Sequence, residues 1–393
     1  MSFNATVSAE RPHIAFFGRR NAGKSSVVNA VTSQRLSVVS DTPGTTTDPV
    51  QKAMELLPLG PVVIIDTPGF DDEGALGELR VERTREVLRK TDIAVLVVDG
   101  TVGLTDADRA LVAEFDSRKL PYLIVYNKSD LDGFHADAGE RTVAVSALPG
   151  DGIDLLKERL ANVVKSEERE RYIVADLVER GSTVILVIPI DGSAPKGRII
   201  LPQQQTLREL LDHHCVVLCC QPEELKDTVA GLKEAPALVI TDSQAFGRVS
   251  KDIPDEIPMT SFSILFARYK GSLDTLMRGA QALRTLSDGD RVLISEGCTH
   301  RRQCGDIGTV KLPAWIRKHC GAEPEFSFTS GGSFPDDLSG YRVIVHCGGC
   351  MLNEKEMRHR QQVAQAAGVP MVNYGIAIAE MNGILSRAIK PLR

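Results

Sequence analysis

Between residues 12 and 165, short apolar runs rich in β-branched side chains alternate with amphipathic stretches. The runs fall at residues 13–17, 62–65, 93–98, 122–126 and 143–145. Runs this short, separated by helical patterns, predict buried strands of a parallel sheet with helices packed against it. The fold class expected from the pattern is α/β. A charged helical run from Lys165 to Arg171 then changes the composition and marks the exit from a first domain, set at residues 1–168.

Two smaller α/β domains are expected beyond it. The second, residues 169–270, has strand-like runs at 183–190, 216–218, 237–241 and 263–266 and a helix over 207–213. The segment from Cys215 to Cys220 reads as a buried strand. The adjacent pair His213 and His214 diverges by ~100° on a helix, so the two rings do not share a ligand. No nucleophile–base pair or metal spacing stands out there, which leaves the region as a scaffold or dimerisation domain. In the third, residues 271–393, strands are expected over 291–294 and 341–345 and helices over 353–367 and 376–384.

Composition changes this picture only by exclusion. The 393 residues are 42% hydrophobic and 25% charged with a net charge of −6, which argues against a general nucleic-acid or membrane binder. No apolar run approaches the ~18 residues of a membrane span, and no secretory signal follows Met1. The expected location is cytoplasmic, where the eight cysteines stay reduced.

The first domain carries its chemistry in ordered boxes. Gly18-Arg19-Arg20-Asn21-Ala22-Gly23-Lys24-Ser25 follows an apolar strand and precedes a helix, the context of a phosphate loop. Its glycines let backbone N–H groups face phosphates, Lys24 supplies charge to the β- and γ-phosphates, and Ser25 holds Mg2+, with Ser26 beside it. Thr46, among Thr45-Thr46-Thr47, is the candidate switch ligand for Mg2+ and the γ-phosphate. Asp66-Thr67-Pro68-Gly69 brings Asp66 toward Mg2+ and the Gly69 N–H toward the γ-phosphate. Asn127-Lys128-Ser129-Asp130 supplies the Asp130 carboxylate that selects guanine, and Ser146-Ala147-Leu148 is the last guanine loop. Five boxes in order assign GTP binding and hydrolysis. Lys24, Ser25, Thr46 and Asp66 are the expected catalytic set.

The third domain holds Cys298-Thr299-His300 and His346-Cys347-Gly348-Gly349-Cys350, each just past an expected strand end. Open α/β sheets place ligand crevices there, so two distant segments converge on one metal. Three thiols and two imidazoles suit zinc or a 4Fe–4S cluster, and spacing alone leaves both open. Cys304 lies outside the motif and reads as a neighbour; His319, Cys320 and His359 read as structural.

These motifs carry two resemblances. Residues 12–165 resemble the TrmE–Era branch of GTPases, a P-loop fold. That likeness implies K+ bound at Asn21, G domains that meet across their nucleotides, and slow or assisted hydrolysis, since Phe70 stands where many GTPases have a water-orienting glutamine. The C-x-H and H-C-x-x-C motifs, 45 residues apart behind such a G domain, resemble the FeFe-hydrogenase maturation GTPase family. That resemblance implies a homodimer whose Cys298, Cys347 and Cys350 ligate a 4Fe–4S cluster, with His300 or His346 at the fourth iron or in support. It also implies a diiron precursor as cargo, with radical S-adenosylmethionine maturases and apo FeFe-hydrogenase as partners. An RNA-related TrmE/Era-type GTPase with a zinc-stabilised C-terminal domain is the alternative.

Overall fold

A computed structural model describes residues 11–33, 50–69, 84–167, 171–190, 199–297, 306–331 and 333–393. Thr46 with its neighbours, Phe70, Cys298, His300 and Cys304 lie outside the described residues. The chain gathers into two compact units, Met1–Glu170 and Arg171–Arg393.

The first unit is built on six strands: β1 (His13–Gly18), β2 (Val50–Leu56), β3 (Gly60–Asp66), β4 (Ile93–Asp99), β5 (Tyr122–Asn127) and β6 (Thr142–Ala144). They lie in the order β2-β3-β1-β4-β5-β6. Apart from β2, which pairs antiparallel with β3, the sheet is parallel. Alternate residues feed two cores. Ile14, Phe16, Val95 and Val97 join one, and Ala15, Phe17, Leu96 and Tyr126 the other. Burial on both faces is why these strands read as continuous apolar runs. The edge strand β2 escaped the pattern because only Leu56 of its seven residues is buried. The helices α1 (Lys24–Thr32), α2 (Asp106–Ser117) and α3 (Ile153–Glu167) complete the layers.

The second unit holds two parallel four-stranded sheets. One joins β7 (Thr183–Val187), β8 (Val216–Cys220), β9 (Leu238–Thr241) and β10 (Met259–Ser261) in the order β10-β9-β7-β8. The other joins β11 (Arg291–Glu296), β12 (Glu325–Ser330), β13 (Val343–His346) and β14 (Met371–Asn373) in the order β12-β11-β13-β14. One hydrophobic core runs through both, from Val239 and Phe246 to Leu293 and Ile344.

Two expectations fail here. Residues 263–266 are helical, within the helix Phe262–Lys270, because Ser261 caps its start by accepting from the Ile264 N–H at 3.2 Å. Neighbouring elements surround that helix, so Phe262, Ile264, Leu265 and Phe266 are all buried and mimic a strand's run. The cysteine-rich strand β8 is an edge strand rather than a buried one: Val216 and Cys219 are exposed, and of its five residues only Cys220 is buried.

Candidate functional site

The first site gathers at the carboxyl ends of β1, β3, β4 and β5. Between β1 and α1 the backbone turns through positive φ at Asn21 (64°) and Gly23 (80°), which aims successive N–H groups into one concavity. A Cβ on Gly23 would stand 2.2 Å from Asn127 Nδ2, so only glycine fits that approach. Asn127 ties the loop in place: its Nδ2 donates to the Ala22 carbonyl at 3.1 Å, and its Oδ1 accepts from the Ala147 N–H at 3.1 Å. One side chain therefore stitches the phosphate loop to the last guanine loop.

Lys24 and Asp66 are buried and paired, and Ser25 Oγ donates to Asp66 Oδ2 at 3.3 Å. The ammonium expected at the phosphates and the two groups expected at Mg2+ thus meet at one point. Thr67 Oγ1 anchors the next box by donating to the Phe16 carbonyl at 2.7 Å. Gly69 is the last described residue of that box, and Ser26 lies half-buried in the first turn of α1. On the guanine side, Ser146 Oγ donates to Asp130 and fixes its carboxylate, while Leu148 is exposed.

Asp99 is a site residue the motifs missed. It sits opposite Asn127 in the β4–β5 register and pairs with Lys128 at 2.5 Å. Burial alone would raise its carboxyl, but hydrogen bonds from Lys128 and Thr101 outweigh that and leave it below 3.8. The only sequence signal was an acidic residue closing an apolar strand.

The second site lies at the carboxyl ends of β11 and β13, which pair in parallel with Ser295 opposite His346. The Gly297 N–H donates to Cys347 Sγ at 3.0 Å, and the chain runs from Gly297 directly into Cys298. The Gly349 N–H reaches the same sulfur at 3.4 Å. Burial pushes the Cys347 thiol up to about 11 against the pull of those two N–H groups. Two backbone N–H groups aimed at one sulfur fit a thiolate that serves as a metal ligand, where its charge is shared. Among the described residues no set of three metal-ligating side chains is complete; the other half of the motif, Cys298 and His300, lies outside them.

His346 is fully buried, and both ring nitrogens are engaged. Nδ1 donates to the Cys347 carbonyl at 2.7 Å, and Nε2 accepts from Arg360 Nη1 at 3.0 Å. Burial, and then the Arg360 charge, hold its pKa down at about 3. Arg360, on the helix Glu354–Ala366, also donates to Glu356 Oε1 (2.9 Å), the Gly331 carbonyl (2.9 Å) and Ser295 Oγ (3.5 Å). Beside Cys347, Tyr374 donates to Glu296 Oε1 at 3.1 Å, and burial, followed by the charges of Cys347 and Glu296, holds its hydroxyl well above 10.

His213 takes no part in the cysteine site; its Nε2 lies on the Val178 carbonyl at 3.1 Å.

Comparison with known proteins assigns all three regions. Residues 13–128 match a family model described as 50S ribosome-binding GTPase, residues 173–271 the hydrogen maturase F dimerization domain, and residues 274–391 the hydrogen maturase F tetramerization domain. The chain is 36% identical over 163 residues to the tRNA modification GTPase MnmE of Laribacter hongkongensis, covering 40% of this chain and 36% of that protein. It is 34% identical over 197 residues to GTPase Der of Thermomicrobium roseum, covering 44% and 42%. The chain thus spans well under half the length of these curated relatives. Among solved structures, Aquifex aeolicus Era bound to GDP and aluminium fluoride aligns over 53% of this chain and 93% of its own, at 18% identity and a TM-score of 0.35. Among the described residues, no helix is long and apolar enough to cross a membrane.

Proposed function

Because this chain belongs to the hydrogen maturase F family, with a GTPase domain ahead of that family's dimerization and tetramerization domains, we propose that it couples GTP hydrolysis to a 4Fe–4S scaffold serving hydrogenase maturation. The observation that carries the scaffold is the Gly297 N–H on Cys347 Sγ at 3.0 Å. It joins segments fifty residues apart at one sulfur, with Cys298 the very next residue.

Cys298, Cys347 and Cys350 would hold three irons. The fourth stays open or takes His300, because both nitrogens of His346 are already engaged and its ring serves as a support. When bound, the cluster supplies a redox-active, exchangeable iron site. The cargo is a diiron precursor, received from radical S-adenosylmethionine maturases and delivered to apo FeFe-hydrogenase. In the first unit, Lys24 neutralises phosphate charge, and Ser25, Thr46 and Asp66 hold Mg2+, which offsets the charge that builds during transfer. Asn21 places K+ against the same phosphates.

The test is metal analysis of protein purified without oxygen. Iron and acid-labile sulfide near four per chain, with little zinc, is the expected result. About one zinc per chain without sulfide would overturn the scaffold and favour a zinc-stapled GTPase.

A further inference from the structure

We propose that Lys270 is a positioning residue for the cysteine turn, carrying a fixed positive charge to it from the last helix of the dimerization domain. This inference rests on reading Cys347 and Cys350 as cluster ligands.

Lys270 closes the helix Phe262–Lys270 and is 3% exposed. Its ammonium donates to the carbonyls of Gly349 at 3.2 Å, Cys350 at 3.4 Å and Leu352 at 2.9 Å. A buried ammonium is costly unless its donors are matched, and here three donors meet three acceptors of one turn. The turn is wound for this: Gly349 has φ 64°, and the Leu352 N–H returns to the Gly349 carbonyl at 3.1 Å. A side chain at Gly349 would also strike Met357 Sδ, at 2.5 Å from an ideal Cβ.

The backbone that delivers the ammonium is itself pinned. The Ser272 N–H donates to Gln361 Oε1 at 3.0 Å, and a Cβ on Gly271 would come within 2.3 Å of Gln361 Nε2. Lys270 is thus fixed against the same helix that follows the cysteine turn. It lines a small cavity of about 10 Å³ together with His346, Cys347 and Gln361.

Two consequences follow from that placement. The three hydrogen bonds hold the Cys350 backbone in register with Cys347. The charge stabilises electron-rich states of whatever the two thiolates bind, because the ammonium lies against the backbone of the same turn and is itself shielded from solvent, which weakens screening. A cluster beside Lys270 is therefore easier to reduce than one without it.

The experiment compares wild-type full-length protein with Lys270→Met and Lys270→Gln. In metal-free protein, hydrogen exchange across residues 347–353 is expected to be about tenfold faster in Lys270→Met, the scale of losing a charge-assisted hydrogen bond. Strand β7 serves as the unchanged internal reference. In anaerobically reconstituted protein, the cluster's midpoint potential, followed by electron paramagnetic resonance, is expected to fall in both variants. Lys270→Gln keeps a donor, so it separates charge from tethering and substitutes if Lys270→Met does not fold. Unchanged exchange in Lys270→Met, or an unchanged potential in Lys270→Gln, overturns the proposal. Wild-type protein that binds no iron sinks the cluster reading instead, while the exchange result still judges the clamp.

Discussion

A fully buried guanidinium is tolerable only where its nitrogens are hydrogen-bonded, and each nitrogen of Arg360 is, through Glu356, through His346 and Ser295, and through the Gly331 carbonyl. Removing it strands the Glu356 carboxylate, which is 4% exposed. Arg360→Met is expected to cost about 3–5 kcal/mol in urea unfolding of the metal-free protein. Adding Glu356→Gln should recover more than half of that loss; simple additivity of the two substitutions would show that the pair is not coupled. Asp99 is expected to bear on the nucleotide instead. It steers Lys128 from the neighbouring strand, so Asp99→Ala should weaken fluorescent GDP and GTP binding about tenfold with turnover at saturation unchanged. A fall in turnover with unaltered affinity would place Asp99 in the chemistry. Asn21 gives a third residue-level expectation: hydrolysis faster in KCl than in NaCl, with the difference abolished by Asn21→Ala.

At the scale of elements, close approach of helix to strand decides the second unit. The helix Leu273–Ala282 lies on β14 through Gly279, where an ideal Cβ would stand 2.0 Å from the Met371 carbonyl oxygen. Backbone cannot swing aside as a side chain can, so Gly279→Ala should destabilise by about 1–3 kcal/mol or more, read as a lower melting temperature. An unchanged melting temperature would mean that the helix shifts freely. Nothing in the sequence announces this contact. Strands β1, β3, β4 and β5 were legible because burial on both faces writes them as apolar runs, and the phosphate and guanine boxes because their spacing is chemical. The helix Phe262–Lys270 was misread because burial all round erases helical periodicity. The supports were hidden for a different reason: Arg360, Lys270 and Asp99 are ordinary charged residues in a sequence, and it is the fold that sets Arg360 against His346, Lys270 against the cysteine turn and Asp99 against Lys128. Glu356 and Arg360 do stand at helical i,i+4 spacing, yet that spacing is usual for solvated pairs.

At the scale of the whole molecule, the two sites draw on different compact units and different side chains: one gathers an ammonium, a hydroxyl and a carboxylate around a phosphate loop, the other cysteine sulfur at paired strand ends. Neither described set of side chains borrows from the other. Ser25→Ala is therefore expected to lose nearly all GTP hydrolysis while retaining wild-type iron and sulfide. Cys347→Ser should lose the cluster, seen in the visible spectrum, while keeping wild-type nucleotide turnover. Chelation of iron from the native protein should match Cys347→Ser in turnover. If Ser25→Ala lost iron, or Cys347→Ser lost turnover, the sites would be coupled in the resting protein, and the nucleotide would be needed to hold the metal. If both stay independent, GTP would act on what the family's oligomerisation domains and partners do next, because GTPases signal through the loops that contact the γ-phosphate. That outcome predicts that partner dissociation rates, rather than cluster content, differ between the GTP- and GDP-bound protein; equal rates would leave hydrolysis without a readout at either site.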